Sequence, residues 1–226
     1  MDEILLIDKP AGITSFDVIR QLRTRLGVKK IGHAGTLDPL ATGLMILGVG
    51  QGTKKLTEFI KLDKEYIAEI LIGESHTTGD MEGKIVESVT EIAITPQAIL
   101  EAVASLVGTL TLPVSAYSAI KKDGVPMYKR AREAAKMGKI IIAVPLREMK
   151  VYEAEEFTIA INRDSRQLAV GRMVITVRFF VSSGTYIRSL SEELGRRLGY
   201  PATLLSLRRT KIGKFDVQDA KKIKDF

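Results

Sequence analysis

Apolar and polar positions recur with helical and strand periods along most of this chain, and they predict a mixture of both elements. Glu3 to Ile7 is a short apolar strand closed by KPAGITS, where Pro10 and Gly12 favour a turn. Thr14 or Ser15 then caps a helix over Phe16 to Leu26, with Phe16, Ile19, Leu22 and Leu26 on one face and Gly27 as its stop. An apolar strand runs through Leu44 to Leu47, and a short helix lies around Thr53 to Ile60. Lys64 to Gly73 alternates as a strand should. Thr77 to Gly83 is a polar turn into a second strand, Lys84 to Val89, which makes a hairpin. Thr95-Pro96 opens a helix that runs to about Val107 and ends at Gly108. Ile140 to Val144, Lys150 to Ala154 and Phe157 to Ile161 read as strands, Arg163 to Arg166 as a turn, and Gln167 to Ser182 as a strand pair or one bent strand. Ser183 to Gly199 is a glycine entry into a helix. Thr203 to Arg209 is a further strand, and the tail is a short helix capped by Asp216 with Asp219 at the third position.

Hairpins mixed with helices predict an α+β fold, a largely antiparallel mixed sheet flanked by helices. The expectation is one domain over residues 1–226 with an insertion at about 113–139. The segment that carries it, Thr109 to Lys139, is basic, holds Tyr117, Tyr128 and a KKDG turn, and reads as a loop-plus-helix flap able to close on a nucleic acid. Fewer than 20 residues follow Arg209, so no second cored domain is expected within these residues.

Composition narrows the chemistry. Lys plus Arg number 34 against 27 for Asp plus Glu, a net charge of +7 that suits a polyanionic partner. The chain has no cysteine, so disulfides, thiolate catalysis and Cys-ligated metals are excluded. Two histidines, His33 and His76, offer little material for a His-rich metal site or a Ser-His triad. No apolar run approaches the ~18 residues that span a bilayer. The acidic start, MDEILLIDKP, lacks the basic opening of a secretory signal. A cytoplasmic protein without a membrane partner is expected.

GHAGTLDPLATG, Gly32 to Gly43, is the candidate catalytic stretch. Its glycines free the backbone, and Pro39 forces Asp38 towards an extended conformation, so one carboxylate sits in a loop of fixed shape. Read alone, an Asp-Pro pair is more often a plain turn. The rest of the chain changes that balance. KPAGITS, GHAGTLDPLATGLM, KEYIAEILIG, VSSGTYIRSLSEELG and LRRTKIGKF occur in this order. Together they resemble the pseudouridine synthases of the TruB type, over almost the whole chain from Lys9 to Phe215.

The resemblance implies the pseudouridine synthase catalytic fold and an isomerase that acts on the T-loop uridine of tRNA, position 55, after flipping its base out. It implies no cofactor and no metal, because detaching the base at N1 and rejoining it through C5 gains no atom and changes no oxidation state. By resemblance Asp38 is the nucleophile, attacking either C1′ or C6. Arg188 is the cation that keeps Asp38 ionised. Tyr186 contacts the target base and handles a proton, Tyr66 stacks on that base, and Leu207 completes the apolar wall. His33 enters the space that the flipped nucleotide leaves. Asp80 is an acid near the site. Lys9, Lys121 and Arg132 are supports of the catalytic groups or phosphate contacts. The partner is the T-arm stem-loop, bound by a monomer. Two departures stand out: Pro113-Val114 replaces a pair of prolines before the flap, and many relatives continue into a C-terminal RNA-binding module. Two other readings of the residues stay open. One is a non-catalytic RNA-folding protein on the same fold; the other is a hydrolase that pairs Asp38 with Asp80 or another acid as glycosidases pair carboxylates.

Overall fold

A computed structural model describes residues 3–118, 120–138, 144–161 and 172–226. The strands are β1 (Glu3–Lys9), β2 (Ile31–His33), β3 (Thr42–Val49), β4 (Lys64–Ile72), β5 (Glu74–His76), β6 (Ile85–Ser88), β7 (Gly108–Pro113), β8 (Lys121–Lys122), β9 (Val125–Pro126), β10 (Leu146–Ile161), β11 (Met173–Val181), β12 (Ala202–Ile212) and β13 (Phe215–Asp216). The helices are α1 (Ser15–Leu26), α2 (Leu56–Ile60), α3 (Pro96–Ser105), α4 (Met127–Lys136) and α5 (Ile187–Leu198). The main sheet has the order β1-β3-β12-β4-β11-β10-β7, with β2 beside β3 and β13 beside β12. It is mostly antiparallel, and a parallel pairing joins β12 to β3 at Arg208↔Thr42 and Arg209↔Gly43. This is the expected α+β class.

The chain divides into two units. The first holds Met1–Ala68, Arg178–Ser183 and Ser206–Phe226; the second holds Glu69–Val177 and Gly184–Leu205. In the first unit β3 is buried at every position but Thr42, because both of its faces are covered. That explains why its sequence is a continuous apolar run rather than an alternating one. Leu44 and Ile46 join Ala34, Leu56 and Ile212 in one cluster, and each such side chain contributes about 1.5–3 kcal/mol by leaving water. Helix α1 starts on a capping box between Thr14 and Asp17 and stops at Gly27 in the left-handed region (φ 66°).

In the second unit β7 pairs antiparallel with β10 from Gly108↔Val151 to Pro113↔Leu146, and β5 pairs with β6. Helix α5 buries Ile187, Leu190 and Leu194 and ends at Gly199 in the left-handed region (φ 79°). The flap consists of a β8–β9 hairpin followed by α4. Asp123 and Gly124 at its tip both have positive φ, as a two-residue hairpin turn requires.

Several expectations are corrected. Helix α1 buries Ser15, Val18, Ile19 and Leu22, a face rotated from the expected one, so Phe16 is 59% exposed and lies near the Arg23 guanidinium. Thr109 to Pro113 belongs to β7 rather than to a flap loop. The two strands expected between Lys150 and Ile161 are one strand, β10. The tail forms two single 3-10 turns, Val217–Asp219 and Ile223–Asp225, in place of a helix, although Asp216 does cap the first. Residues 140–143 of the strand expected before Pro145, the turn expected at 163–166 and residues 167–171 lie outside the described residues.

Candidate active site

The Asp38 turn is built in the first unit. β2 pairs with β3 through Gly32↔Gly48 and His33↔Leu47, and the Ala34 N–H donates to the Ile46 carbonyl at 2.9 Å. The chain then leaves the sheet. Leu37 is fastened to the start of α1 by a reciprocal pair: its N–H donates to Ser15 Oγ at 2.8 Å, and Ser15 Oγ donates to its carbonyl at 2.9 Å. The Ala41 N–H donates to the Asp38 carbonyl at 3.1 Å, which closes a turn with Pro39 at the position that proline favours. The Pro39 carbonyl also accepts from the Gly12 N–H at 2.8 Å. Asp38 itself is half-buried at the head of this turn.

Lys9 braces the turn from beneath. Its ammonium is fully buried and donates to the carbonyls of Pro10 (3.0 Å), Pro39 (3.1 Å) and Ala41 (2.6 Å). This placement corrects the idea of Lys9 as a phosphate contact, since its donors point into the protein. Arg209 is the second brace and was not singled out from the sequence. It is 1% exposed, and it donates from Nε to the Leu44 carbonyl at 2.7 Å and from Nη2 to the Gly35 carbonyl at 3.3 Å. The backbone at Gly43 (φ 105°) runs so close to Arg209 that a Cβ there would overlap its carbonyl oxygen. Only glycine fits at that position.

The other expected residues of this unit lie nearby in the fold. His33 is half-buried on β2, and its buried Nδ1 meets no hydrogen-bond partner within normal geometry among the described residues. Burial first, and then repulsion from Arg209, lower its pKa below the usual value, so the ring is neutral at neutral pH. Tyr66 on β4 and Leu207 on β12 are both buried, on strands that are neighbours in the sheet. Thr42 Oγ1 donates to the Leu207 carbonyl at 3.4 Å. Lys64, two residues before Tyr66, caps α2 by donating to the Ile60 carbonyl at 2.8 Å and the Leu62 carbonyl at 2.5 Å. Burial, followed by the Arg209 charge, lowers its pKa to about 8.

The second unit holds Asp80, Tyr186 and Arg188. Arg188 stands in the first turn of α5 and is buried. Its Nη1 donates to the Thr78 carbonyl at 2.8 Å and to Ser115 Oγ at 3.1 Å, and its Nε faces Asp80 Oδ2 at 3.7 Å. Asp80, 2% exposed, accepts from Thr78 Oγ1 at 2.5 Å and from the Glu82 N–H at 3.1 Å. The 77–83 turn therefore positions a guanidinium by one carboxylate, Asp80, and one carbonyl, that of Thr78. Gly79 (φ 75°) makes the approach possible, because a Cβ there would lie 3.1 Å from Glu192 Oε1 and 3.5 Å from Arg188 Cβ. Glu192 lies one turn along α5 from Arg188, and burial raises its pKa above the usual carboxylate range. Tyr186 is half-buried at the N-cap position of α5, and its carbonyl accepts from the Leu190 N–H at 3.2 Å.

Lys121 and Arg132 are exposed on the flap, with the Arg132 guanidinium 5.6 Å from the Tyr128 ring centroid. Among the described residues, no three His, Asp or Glu side chains gather as a metal site, and no helix is long and apolar enough to cross a membrane.

The tRNA pseudouridine synthase B of Leifsonia xyli subsp. xyli is 41% identical over 220 residues, covering 96% of this chain and 69% of that protein. The protein of the same name from Corynebacterium efficiens is 40% identical over 218 residues, covering 96% and 69%. The fold is shared with the solved structure of a Cbf5-Nop10-Gar1 complex at a TM-score of 0.70 and 24% identity; the match covers 98% of this chain and spans about half, 52%, of that one. Residues 23–187 match the family described as TruB family pseudouridylate synthase (N terminal domain), and with these identities over nearly its full length the chain belongs to the TruB family of pseudouridylate synthases.

Proposed function

We propose that this chain converts the T-loop uridine of tRNA, position 55, to pseudouridine, with Asp38 as the nucleophile. The observation that carries the reading is the Asp38 turn: a half-buried acid on a backbone held by Lys9, Ser15, Gly12 and Arg209. Such a rigid mount aims one acid at one atom, which is what a covalent step needs. The two relatives named tRNA pseudouridine synthase B support tRNA as the substrate.

The reaction balances without a co-reactant. The C1′–N1 bond breaks, the base turns, and C5 bonds to C1′. The C5 proton leaves and N1 takes one up. Asp38 attacks C1′ or C6 and must be ionised to do so. We assign its counter-charge to Arg188, whose guanidinium is oriented by Asp80 and the Thr78 carbonyl. Tyr66 stacks on the extruded base, worth roughly 1–3 kcal/mol. Leu207 forms the apolar wall, and Tyr186 contacts the base and handles its proton. His33, neutral at neutral pH, fills the vacated position in the RNA loop and offsets part of the few kcal/mol that unstacking costs. Lys121 and Arg132 contact phosphates.

The experiment uses a tRNA tritiated at uridine C5. Wild-type protein should release tritium, and Asp38→Asn should bind the RNA while releasing at least about 10³-fold less. Turnover by Asp38→Asn at a comparable rate would remove the nucleophile assignment. Free uracil among the products would replace the isomerase with a hydrolase.

A further inference from the structure

We infer that a cationic groove in the first unit is a second RNA site, which takes a phosphodiester away from the nucleotide being modified. The groove encloses about 440 Å³. Arg25 from the last turn of α1, Arg208 from β12, and Lys222 and Lys224 from the tail line it against one carboxylate, Asp8; Lys9 also borders it, but its buried ammonium is taken up by backbone carbonyls. These cations come from three stretches distant in sequence, so their convergence is a product of the fold rather than of a basic run.

Arg208 is pre-set for the task. Its two terminal nitrogens grip Asp8 at 3.1 and 2.9 Å, and Nη1 also lies 3.4 Å from Thr42 Oγ1. This fork is fixed, yet 40% of the side chain remains exposed. Arg25, Lys222 and Lys224 form no ion pair among the described residues, so their charge is not spent inside the protein. The floor between them is apolar, with Ile13 and Ile223. A rim of cations around an apolar floor fits a phosphate whose attached sugar rests on that floor. It does not fit a bare metal cation or an acyl chain.

Strand alternation sets Arg208 and Leu207 on opposite faces of β12. Successive side chains on a strand point to opposite faces. On β1, Asp8 points to the groove, while Lys9, which borders it, turns its ammonium to the carbonyls of the Asp38 turn. On β12, Arg208 points to the groove, while Leu207 and Arg209 are buried on the other face. An anion bound by Arg208 is therefore on the sheet face opposite Leu207, and it belongs to a different nucleotide from the one Leu207 would wall.

The inference rests on the reading of the chain as an RNA enzyme, and the test keeps the two apart. Binding of full-length tRNA is measured by fluorescence anisotropy across a series of NaCl concentrations, for wild type and for the Arg25→Gln/Lys222→Gln/Lys224→Gln variant. Tritium release by the wild type is measured on the same preparation. Each lost phosphate contact should flatten the plot of log affinity against log salt by about 0.7–0.9, so the triple variant should be shallower by about 2–3. Arg25→Gln alone, on an exposed helix end, should flatten it by about one contact and guards against a misfolded triple variant. An unchanged slope for both variants, while the wild type still releases tritium, overturns the groove and leaves the enzyme reading intact. A flattened slope with no tritium release by the wild type supports the groove and overturns the enzyme reading.

Discussion

Replacing Lys9 by methionine tests whether the shape of the Asp38 turn sets the rate. Methionine keeps the length of the stem and removes the ammonium, leaving the carbonyls of Pro10, Pro39 and Ala41 without their common donor. The Ala41 contact is buried, so its oxygen finds no water, at a cost of about 1–3 kcal/mol. The other two contacts are partly exposed; their oxygens rehydrate and lose about 0.5–1.5 kcal/mol each. The variant is spared the desolvation of an ammonium, which offsets part of this loss. A net destabilisation of about 2–3 kcal/mol remains, or a fall in Tm of roughly 4–12 °C for a chain of this size. The rate should suffer more than this stability loss suggests, because a displacement of about 1 Å in a positioned nucleophile costs about 100-fold. Thermal denaturation followed by circular dichroism gives the first number, and single-turnover pseudouridine formation well below the Tm gives the second. The expected result is a rate roughly 10- to 100-fold lower, with tRNA affinity little changed. A lowered Tm with an unchanged single-turnover rate would refute the reasoning, for it would mean that Ser15, Gly12 and Arg209 hold the turn without Lys9.

Three further outcomes follow from the same geometry. Gly43→Ala should unfold the protein or leave it insoluble, since its Cβ would overlap the Arg209 backbone, whereas Gly12→Ala, with φ 83° and open space, should cost only about 1–2 kcal/mol; denaturation of the two variants side by side checks the contrast. Asp80→Asn keeps an oxygen for Thr78 and Glu82 but turns a donor or a neutral amide towards Arg188, so urea denaturation should show a loss of about 3 kcal/mol, and turnover should fall with it. His33 has a folded-state pKa below its unfolded value near 6.5, so the unfolded chain binds its proton first and stability is lost as pH falls through that value; His33→Gln should lose less stability than wild type between about pH 7 and 5 in parallel urea titrations.

The elements that announce themselves locally were readable from the sequence. Thr14 with Asp17 and then Gly27 bracket α1, and the unbroken apolar run of β3 marks a strand covered on both faces. The parts that escaped are those decided by distant partners. β7 carries the alternation of a strand, but only its pairing with β10, more than thirty residues later, separates it from the flap. β2 is three residues long with a glycine at its centre, and it exists because β3 returns alongside it. The face of α1 shifted because Ser15 turns inward to hold Leu37, which carries Phe16 out to solvent. Lys9 looked like a surface cation because most lysines are; three carbonyls from two turns were needed to bury it.

Arg208 and Arg209 carry that lesson to the site itself. Two identical letters stand side by side on one strand, and the pleat requires that they face opposite ways. Nothing in their own sequence says which of them turns inward. The parallel register does: Arg209 stands opposite Gly43, the glycine whose missing side chain lets the β12 backbone close on the Asp38 loop. That contact puts Arg209 under the turn, where it holds Gly35 and Leu44, and sends Arg208 to Asp8 and the cationic groove. A one-residue slip of β12 would exchange the two, placing a salt-bridged arginine in the core and pulling the brace out of the Asp38 turn. The glycine at 43 thus fixes the placement of both arginines, and with it the mount of Asp38 on one face and the exposed cation of the groove on the other.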